Sequence, residues 1–374
     1  MVTRAGEELA AWLALCMLPS FGPRRLWDVA ASGDPEEEWS LLAEGANPRS
    51  FRADSDRLAQ WRELAAAIDP MAELSRHRDA GVSVTVHGDS GHPSIDLGDP
   101  HVPPVLFWRG SGERGDGSRR PAVGIVGTRR ATRAGLELAT ELGRDLAAAG
   151  CCVVSGLALG VDAAAHRGAM EVEGSWPVGV VGSGLDVVYP RANRALWGAV
   201  IDNGVLCSEY PLGTPPAAWR FPARNRILVS LCDALVVVES HQRGGSLITA
   251  GIAGARGVPV LAVPGSVRSV ASVGTNRLIA DGCPPCLSVD DVLTAVGLTS
   301  TPQLPFGRSH SEETLPDLSE EARSVLDAVG WVARSVDELA DACPELSLGS
   351  LSLAVAQLLA AGVVVERDGR IERR

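Results

Sequence analysis

From residue 121 onward the chain alternates short, wholly apolar runs with longer amphipathic ones, and no other feature constrains its fold so tightly. The spacing predicts strands at 122–126, 151–155, 178–182, 204–208, 234–239 and 258–263. Helices at about 133–149, 161–171, 191–201, 222–231, 246–256 and 275–281 separate them. Strands apolar on both faces belong in a parallel sheet covered by helices on each side. Regular βα alternation then specifies an α/β fold, a Rossmann-like doubly wound parallel sheet. Its first unit is complete in the sequence. Gly127 lets the backbone turn after 122–126, and Thr128 is placed to cap the next helix. Leu138, Leu142 and Leu146 then fall at i, i+4 spacing before Gly150.

Sheets of this class bind ligands at the carboxyl ends of their strands. The chemically distinctive residues fall there. Gly127-Thr128-Arg129 follows the first strand, with exposed amides expected at the turn and a fixed positive charge on Arg129. Ser155 and Gly156 end the second strand and again offer amides to an anion, while Asp162 could cap the next helix or meet an arginine. His166, one turn on, reads as a buried structural histidine, since no nucleophile or metal partner is evident. The third strand leads to Gly182-Ser183-Gly184 and to Tyr189-Pro190. The densest polar cluster is Trp219-Arg220-Phe221-Pro222-Ala223-Arg224-Asn225-Arg226. Arginines neutralise phosphates, an asparagine reads a base edge and Phe221 offers a face for a base; a salt-bridged helix start with Phe221 in the core is the plainer reading. Gly244-Gly245-Ser246 opens another helix after the fifth strand. Three anion-competent turns and an arginine-rich aromatic cluster on one sheet edge describe a groove for a phosphate backbone.

Composition removes several alternatives. The chain has no lysine, all 34 basic residues being arginine, so a P-loop lysine, a Schiff-base lysine and the kinase lysine are absent together. The net charge is −12, but 121–298 hold 14 Arg against 14 acidic residues, while 1–120 hold 13 against 19 and 299–374 hold 7 against 13. Any anion site belongs in the neutral middle. No apolar run approaches the ~18 residues of a membrane span, and the eight cysteines are scattered, as reduced thiols in a cytoplasmic protein would be. Cys283-Pro284-Pro285-Cys286 has metal-like spacing but lacks a second pair, so structural thiols and no metal are expected.

The flanks differ in pattern. Residues 1–75 are helical, and Leu18-Pro19-Ser20-Phe21-Gly22-Pro23-Arg24-Arg25 looks like a helix–hairpin–helix turn with Ser20 at a usual glycine; an ordinary αα-corner is the alternative. Residues 76–120 read as a connecting extended segment, with Val82 to Trp108 as strands or an extended approach to the main domain and Ser111 to Arg120 as a boundary loop, then 121–298 as the Rossmann-like domain and 299–317 as a Ser/Thr/Pro/Gly linker. Residues 318–374 suggest three helices and a hairpin, a winged helix. Its acidic total and few basic residues on the third helix favour a protein contact or regulatory role over DNA readout.

Taken in order, these motifs resemble a known family. They are Gly127-Thr128-Arg129, Ser155-Gly156-Leu157-Ala158-x-Gly160-x-Asp162-x-x-Ala165-His166, Gly184-Leu185-Asp186-x-x-Tyr189-Pro190-x-x-Asn193 and Ser208-Glu209-Tyr210-Pro211. Phe221-Pro222-x-Arg224-Asn225-Arg226-Ile227, Gly245-Ser246-Leu247-Ile248-Thr249-Ala250, Pro264-Gly265 and Gly274-Thr275-Asn276-x-Leu278-Ile279 complete the series. The resemblance is to the DNA-processing protein A family (DprA/Smf) over roughly 70–295, with weaker likeness in the flanks to its helical (SAM/helix–hairpin–helix-like) N-terminal domain and winged helix. It implies a domain that binds single-stranded DNA and is not an enzyme, needing no cofactor. It also implies protection of incoming single strands during natural transformation, loading of the recombinase RecA and homodimerisation through the same domain. Position by position, the arginine of the first turn is Arg129, the base-stacking aromatic is Phe221, and the polar run is Arg224, Asn225 and Arg226. Family members can carry a lysine three residues before that phenylalanine; Ala218 stands here, and Arg220 could supply the charge instead. The alternative from another class is a nucleotide-binding enzyme of the LOG-like phosphoribohydrolase group, whose Pro-Gly-Gly-x-Gly-Thr-x-x-Glu needs a glutamate that 244–250 lack. A Gly-x-Gly-x-x-Gly dinucleotide turn is likewise not met by 124–129.

Overall fold

The computed structural model describes residues 6–89, 92–93, 102–111, 120–298, 318–329, 334–367 and 369–373. The chain divides into two compact units, residues 1–302 and 303–374.

The first unit opens with five helices: α1 (Gly6–Met17), α2 (Pro23–Ser32), α3 (Pro35–Ala43), α4 (Ser55–Ala67) and α5 (Pro70–Asp79). Asp34, Asp54 and Asp69 cap α3, α4 and α5 by accepting from backbone N–H groups of the first turn. Ser20 takes the left-handed backbone (φ 60°) that a glycine would supply in the α1–α2 turn. Trp61 closes that turn by donating Nε1–H to Pro19 O at 2.9 Å.

Two strands follow, β1 (Val82–Val86) and β2 (Val105–Arg109), then β3 (Ala122–Val126), α6 (Arg133–Ala148), β4 (Cys152–Ser155), α7 (Val161–Ala169) and β5 (Val178–Val180). The series continues with α8 (Arg194–Asn203), β6 (Val205–Ser208), α9 (Arg220–Ser230), β7 (Ala234–Val237), α10 (Gly245–Ala255), β8 (Val260–Ala262), α11 (Val273–Ala280) and α12 (Val289–Ala295). The sheet order is β1-β2-β6-β5-β4-β3-β7-β8, parallel from β6 to β8, with β1–β2 and β2–β6 antiparallel. The α/β Rossmann-like expectation therefore holds, with an antiparallel edge added.

That edge decides between the two alternatives for 82–108 in favour of strands, so 76–120 is more than a connection. Val82, Val84 and Val86 and the whole of 105–108 are buried, so the hairpin belongs to the sheet. The expected break after residue 75 fails for the same reason. The core of α1–α5 runs without interruption into Phe107, Leu206, Leu157 and Trp197. Of the boundary loop expected at 111–120, residues 112–119 lie outside the described residues, as does the whole of the expected linker, 299–317.

The central strands carry two cores on opposite faces. Ala122 and Val126 of β3 point into one with Leu228 and Leu235, whereas Val123 and Ile125 point into the other with Leu142 and Leu146. Each face is buried, which explains why these strands are continuous apolar runs in the sequence.

The second unit contains α13 (Glu320–Val329), β9 (Arg334–Ser335), α14 (Val336–Ala342), α15 (Leu348–Ala360), β10 (Val364–Arg367) and β11 (Arg370–Arg373), with strand order β10-β11-β9. Three helices and a terminal hairpin are thus present where the sequence places them, around Leu326, Leu339, Leu358 and Ile371.

Candidate functional site

The chain runs outward from β3 through β4, β5 and β6, then returns to the other side of β3 as β7 and β8. Loops diverge where the order reverses, which opens a crevice at the carboxyl ends of β3 and β7. A cleft of about 420 Å³ lies there. Val126 to Arg129, Ala158, Asp162, Tyr189, Ala218, Phe221, Pro222, Arg224, Asn225, Leu228, Gly244 to Ser246, Ile248 and Thr249 line it.

One wall is a layered stack. The Tyr189 and Phe221 rings lie 5.1 Å apart and 25° from parallel, and the Arg129 guanidinium carbon sits 5.2 Å from the Phe221 centroid. Arg129 is exposed and Phe221 half-buried, so the charge stays wet while one ring is held. Tyr189 precedes a cis proline, Pro190, and is 41% exposed. Sequence reasoning recorded Tyr189-Pro190 without giving the tyrosine a role.

The Gly127 turn differs from expectation. Thr128 N–H donates to Glu239 O at 2.8 Å and Arg130 N–H donates to Thr128 Oγ1, so these amides are already engaged. Thr128 is not the helix cap either; Thr132 is, accepting from Gly135 N–H. Glu239 fixes this cap by accepting from Thr132 N–H and Oγ1–H at 2.8 and 2.6 Å. A Cβ on Gly127 would come within 2.5 Å of Val161, so glycine is needed for the loop to approach α7. Arg129 is the exposed side chain of this turn that lines the cleft.

Ser155 and Gly156 do not reach the cleft. Ser155 is fully buried and donates to Ile125 O at 2.6 Å. Gly156 N–H donates to Asp162 Oδ2 at 3.1 Å, so the anion on this turn is the chain's own carboxylate. Arg224 completes the arrangement from α9, donating to Gly156 O at 2.6 Å and to Val180 O, with Asp162 3.7 Å away. A Cβ on Gly156 would lie 1.9 Å from Arg224 Nη2. Burial pushes the Asp162 carboxyl above its usual value against the opposing pull of Arg224. Arg224 was expected to meet DNA; buried and bonded inward, it forms the cleft floor.

Asn225 lines the cleft and accepts from Arg224 Nε at 3.0 Å, which fixes its carboxamide oxygen inward and makes its amide nitrogen the group left to donate. Arg226 is paired with Glu209 in a largely buried bridge and is not part of the lining. Arg220 also lies off the lining; its guanidinium packs over the Tyr210 and Trp219 rings and donates to Pro215 O. His166 is fully buried, and burial lowers its pKa to about 4, so the ring is neutral.

The opposite wall is the N-terminus of α10. Gly244 caps it with no side-chain bond, Gly245 is exposed, and Ser246 donates to Ser240 Oγ at 2.8 Å. Leu247 N–H donates to Gly244 O at 3.1 Å, and the Gly245 and Ser246 amides, on residues that line the cleft, have no side-chain cap. Cys283 and Cys286 lie elsewhere. Pro285 bridges to Ala262 on edge strand β8, and the two cysteines pack against cores on opposite faces of the sheet.

Across 83–297 the chain matches the family model of DNA recombination-mediator protein A. The chain belongs to that family. It is 32% identical to the Smf protein of Synechocystis over 402 residues, covering 99% of this chain and all of that protein. It is 38% identical over 192 residues to the DNA processing protein DprA of Streptococcus pneumoniae, covering 51% of this chain and 66% of that one. The solved structure of that DprA superposes with a TM-score of 0.61 at 29% identity, covering 78% of this chain and 98% of that chain. Family membership accounts for the order of the motifs. Among the described residues no helix is long and apolar enough to cross a membrane.

Proposed function

We propose that the chain is a cytoplasmic single-stranded-DNA-binding recombination mediator, not an enzyme. In this reading it covers incoming strands during natural transformation, hands them to RecA and acts as a homodimer. The observation that carries the reading is the opposed pair of walls, Arg129 over the Phe221–Tyr189 stack on one side and the uncapped α10 amides on the other. Cation and amides suit a phosphodiester, and the aromatic face suits an unpaired base. Stacking and phosphate contacts do not depend on base identity, so the binding is sequence-tolerant, and a base paired and stacked in a duplex cannot reach the aromatic face. Membership of a family named for recombination mediation supports the further role with RecA.

The test is fluorescence anisotropy of labelled oligo-dT and of a matching duplex at about 50 and 200 mM salt. Binding that favours the single strand and weakens with salt is expected. Equal affinity for duplex, or no binding at the lower salt, would remove the reading. Delivery to RecA is then measured as strand-exchange onset on DNA already coated with a single-strand-binding protein; no acceleration would remove that part alone.

A further inference from the structure

Beside the Phe221 wall stands a second aromatic group that the cleft does not use. Trp219 occupies the N-cap of α9, and its side chain is 64% exposed. Every other tryptophan among the described residues is buried or half-buried. We infer that Trp219 is a second nucleobase platform, extending the single-strand site beyond Phe221; the inference rests on the single-strand reading above.

Two observations carry it. The indole is held in place. Arg220 sits 5.1 Å from its centroid and 4.6 Å from that of Tyr210, and Tyr210 meets Trp219 edge-on at 6.3 Å and 84°. Arg220 is itself anchored by its bond to Pro215 O. A ring fixed on one side and open on the other offers a stacking face at little further ordering cost. The location is also right, because Ala218 and Phe221, on either side of Trp219 and Arg220 in the chain, both line the cleft. Both tyrosines of the chain take part in the two clusters, Tyr189 against Phe221 and Tyr210 against Trp219.

A base is favoured over a protein side chain because the platform continues an aromatic wall, while Arg220, bonded to Pro215 O, holds the ring in place and leaves the phosphate to Arg129.

The experiment uses the full chain with labelled oligo-dT across a salt series. Trp219→Ala is expected to weaken binding by about tenfold, and Trp219→Phe to retain most of the affinity. Both should keep the wild-type salt slope, whereas Ala218→Lys should tighten binding and steepen the slope by about 0.7. Oligo-dT should quench tryptophan emission in the wild type more than in Trp219→Phe. Wild-type binding with undiminished affinity and unchanged quenching in the variants would overturn the platform and leave the single-strand reading standing. A change in oligomeric mass in Trp219→Ala with affinity per protomer intact would overturn it in favour of a protein contact. Failure of the wild type to bind would overturn both.

Discussion

A guanidinium that keeps its hydration can exchange it for a phosphate, whereas one already bonded to carbonyl oxygens cannot. Arg129 and Arg224 line the same cleft but differ in this respect. Arg129→Ala and Phe221→Ala are each expected to weaken oligo-dT binding by about tenfold or more with little loss of stability, as these groups are not buried. Arg224→Ala should cost roughly 3–5 kcal/mol in a urea melt because it strands Asp162 in the interior. Gly156→Ala should cost roughly 1–3 kcal/mol by driving a methyl into that guanidinium. Comparable melts for Arg129→Ala and Arg224→Ala would contradict the division. His166 adds a pH term. Its pKa falls from about 6.5 unfolded to about 4 folded, so its stabilisation is present above pH about 6.5 and is lost as pH falls toward 4. His77 acts in the same direction, since its Nε2 accepts from Leu212 N–H and its pKa is lowered, mainly by burial. His166→Gln should flatten the acid limb of Tm against pH by an amount worth up to about 3 kcal/mol; an unchanged limb would place the ring in water.

At the scale of elements, the α10 N-terminus makes a prediction with two signs. Gly245 has open space around its Cα and an ordinary backbone, so a side chain fits there. Gly245→Asp places a carboxylate on the uncapped amides and should stabilise the fold by roughly 0.3–1 kcal/mol while suppressing oligo-dT binding. Loss of both stability and binding would mean that the residue is needed for folding instead. The elements also show what a sequence can reveal. Strands β3 to β8 and their helices were legible because burial on both faces leaves continuous apolar runs, and their order fixed which loops share an edge. The β1–β2 stretch was legible only as strands or an extended approach, and its place in the sheet was not, because glycines, prolines and aspartates interrupt 87–104 and pairing with β6 is a long-range choice. Thr128 and Thr132 are equally good caps on paper; Glu239, more than a hundred residues later, selects Thr132. Arginine identity was readable, and burial was not. Nothing local distinguishes Arg224, threaded over Gly156, from Arg129, which is left in water.

The whole molecule sets the electrostatic background against which the cleft works. Residues 121–298 are neutral by count, and both flanks repel a polyanion. Within 299–374, 7 Arg face 13 acidic residues, and 299–302 are uncharged, so removing 303–374 takes a net −6 from the chain's −12. The division falls between compact units, and every residue lining the cleft belongs to the first. Helix α15 of the second unit carries no charged residue and leaves Leu348 and Leu353 exposed, so it lacks the cations that hold a recognition helix on phosphates. A chain ending at residue 302 should therefore melt as one cooperative unit and bind oligo-dT at least as tightly as the full chain. At low salt it should bind more tightly, by a factor that disappears near 200 mM, where the Debye length is below about 8 Å. Anisotropy across a salt series measures this directly. A truncated chain that folds but binds less at every salt would show that residues 303–374 contact the strand after all, and the cleft alone would not account for the site.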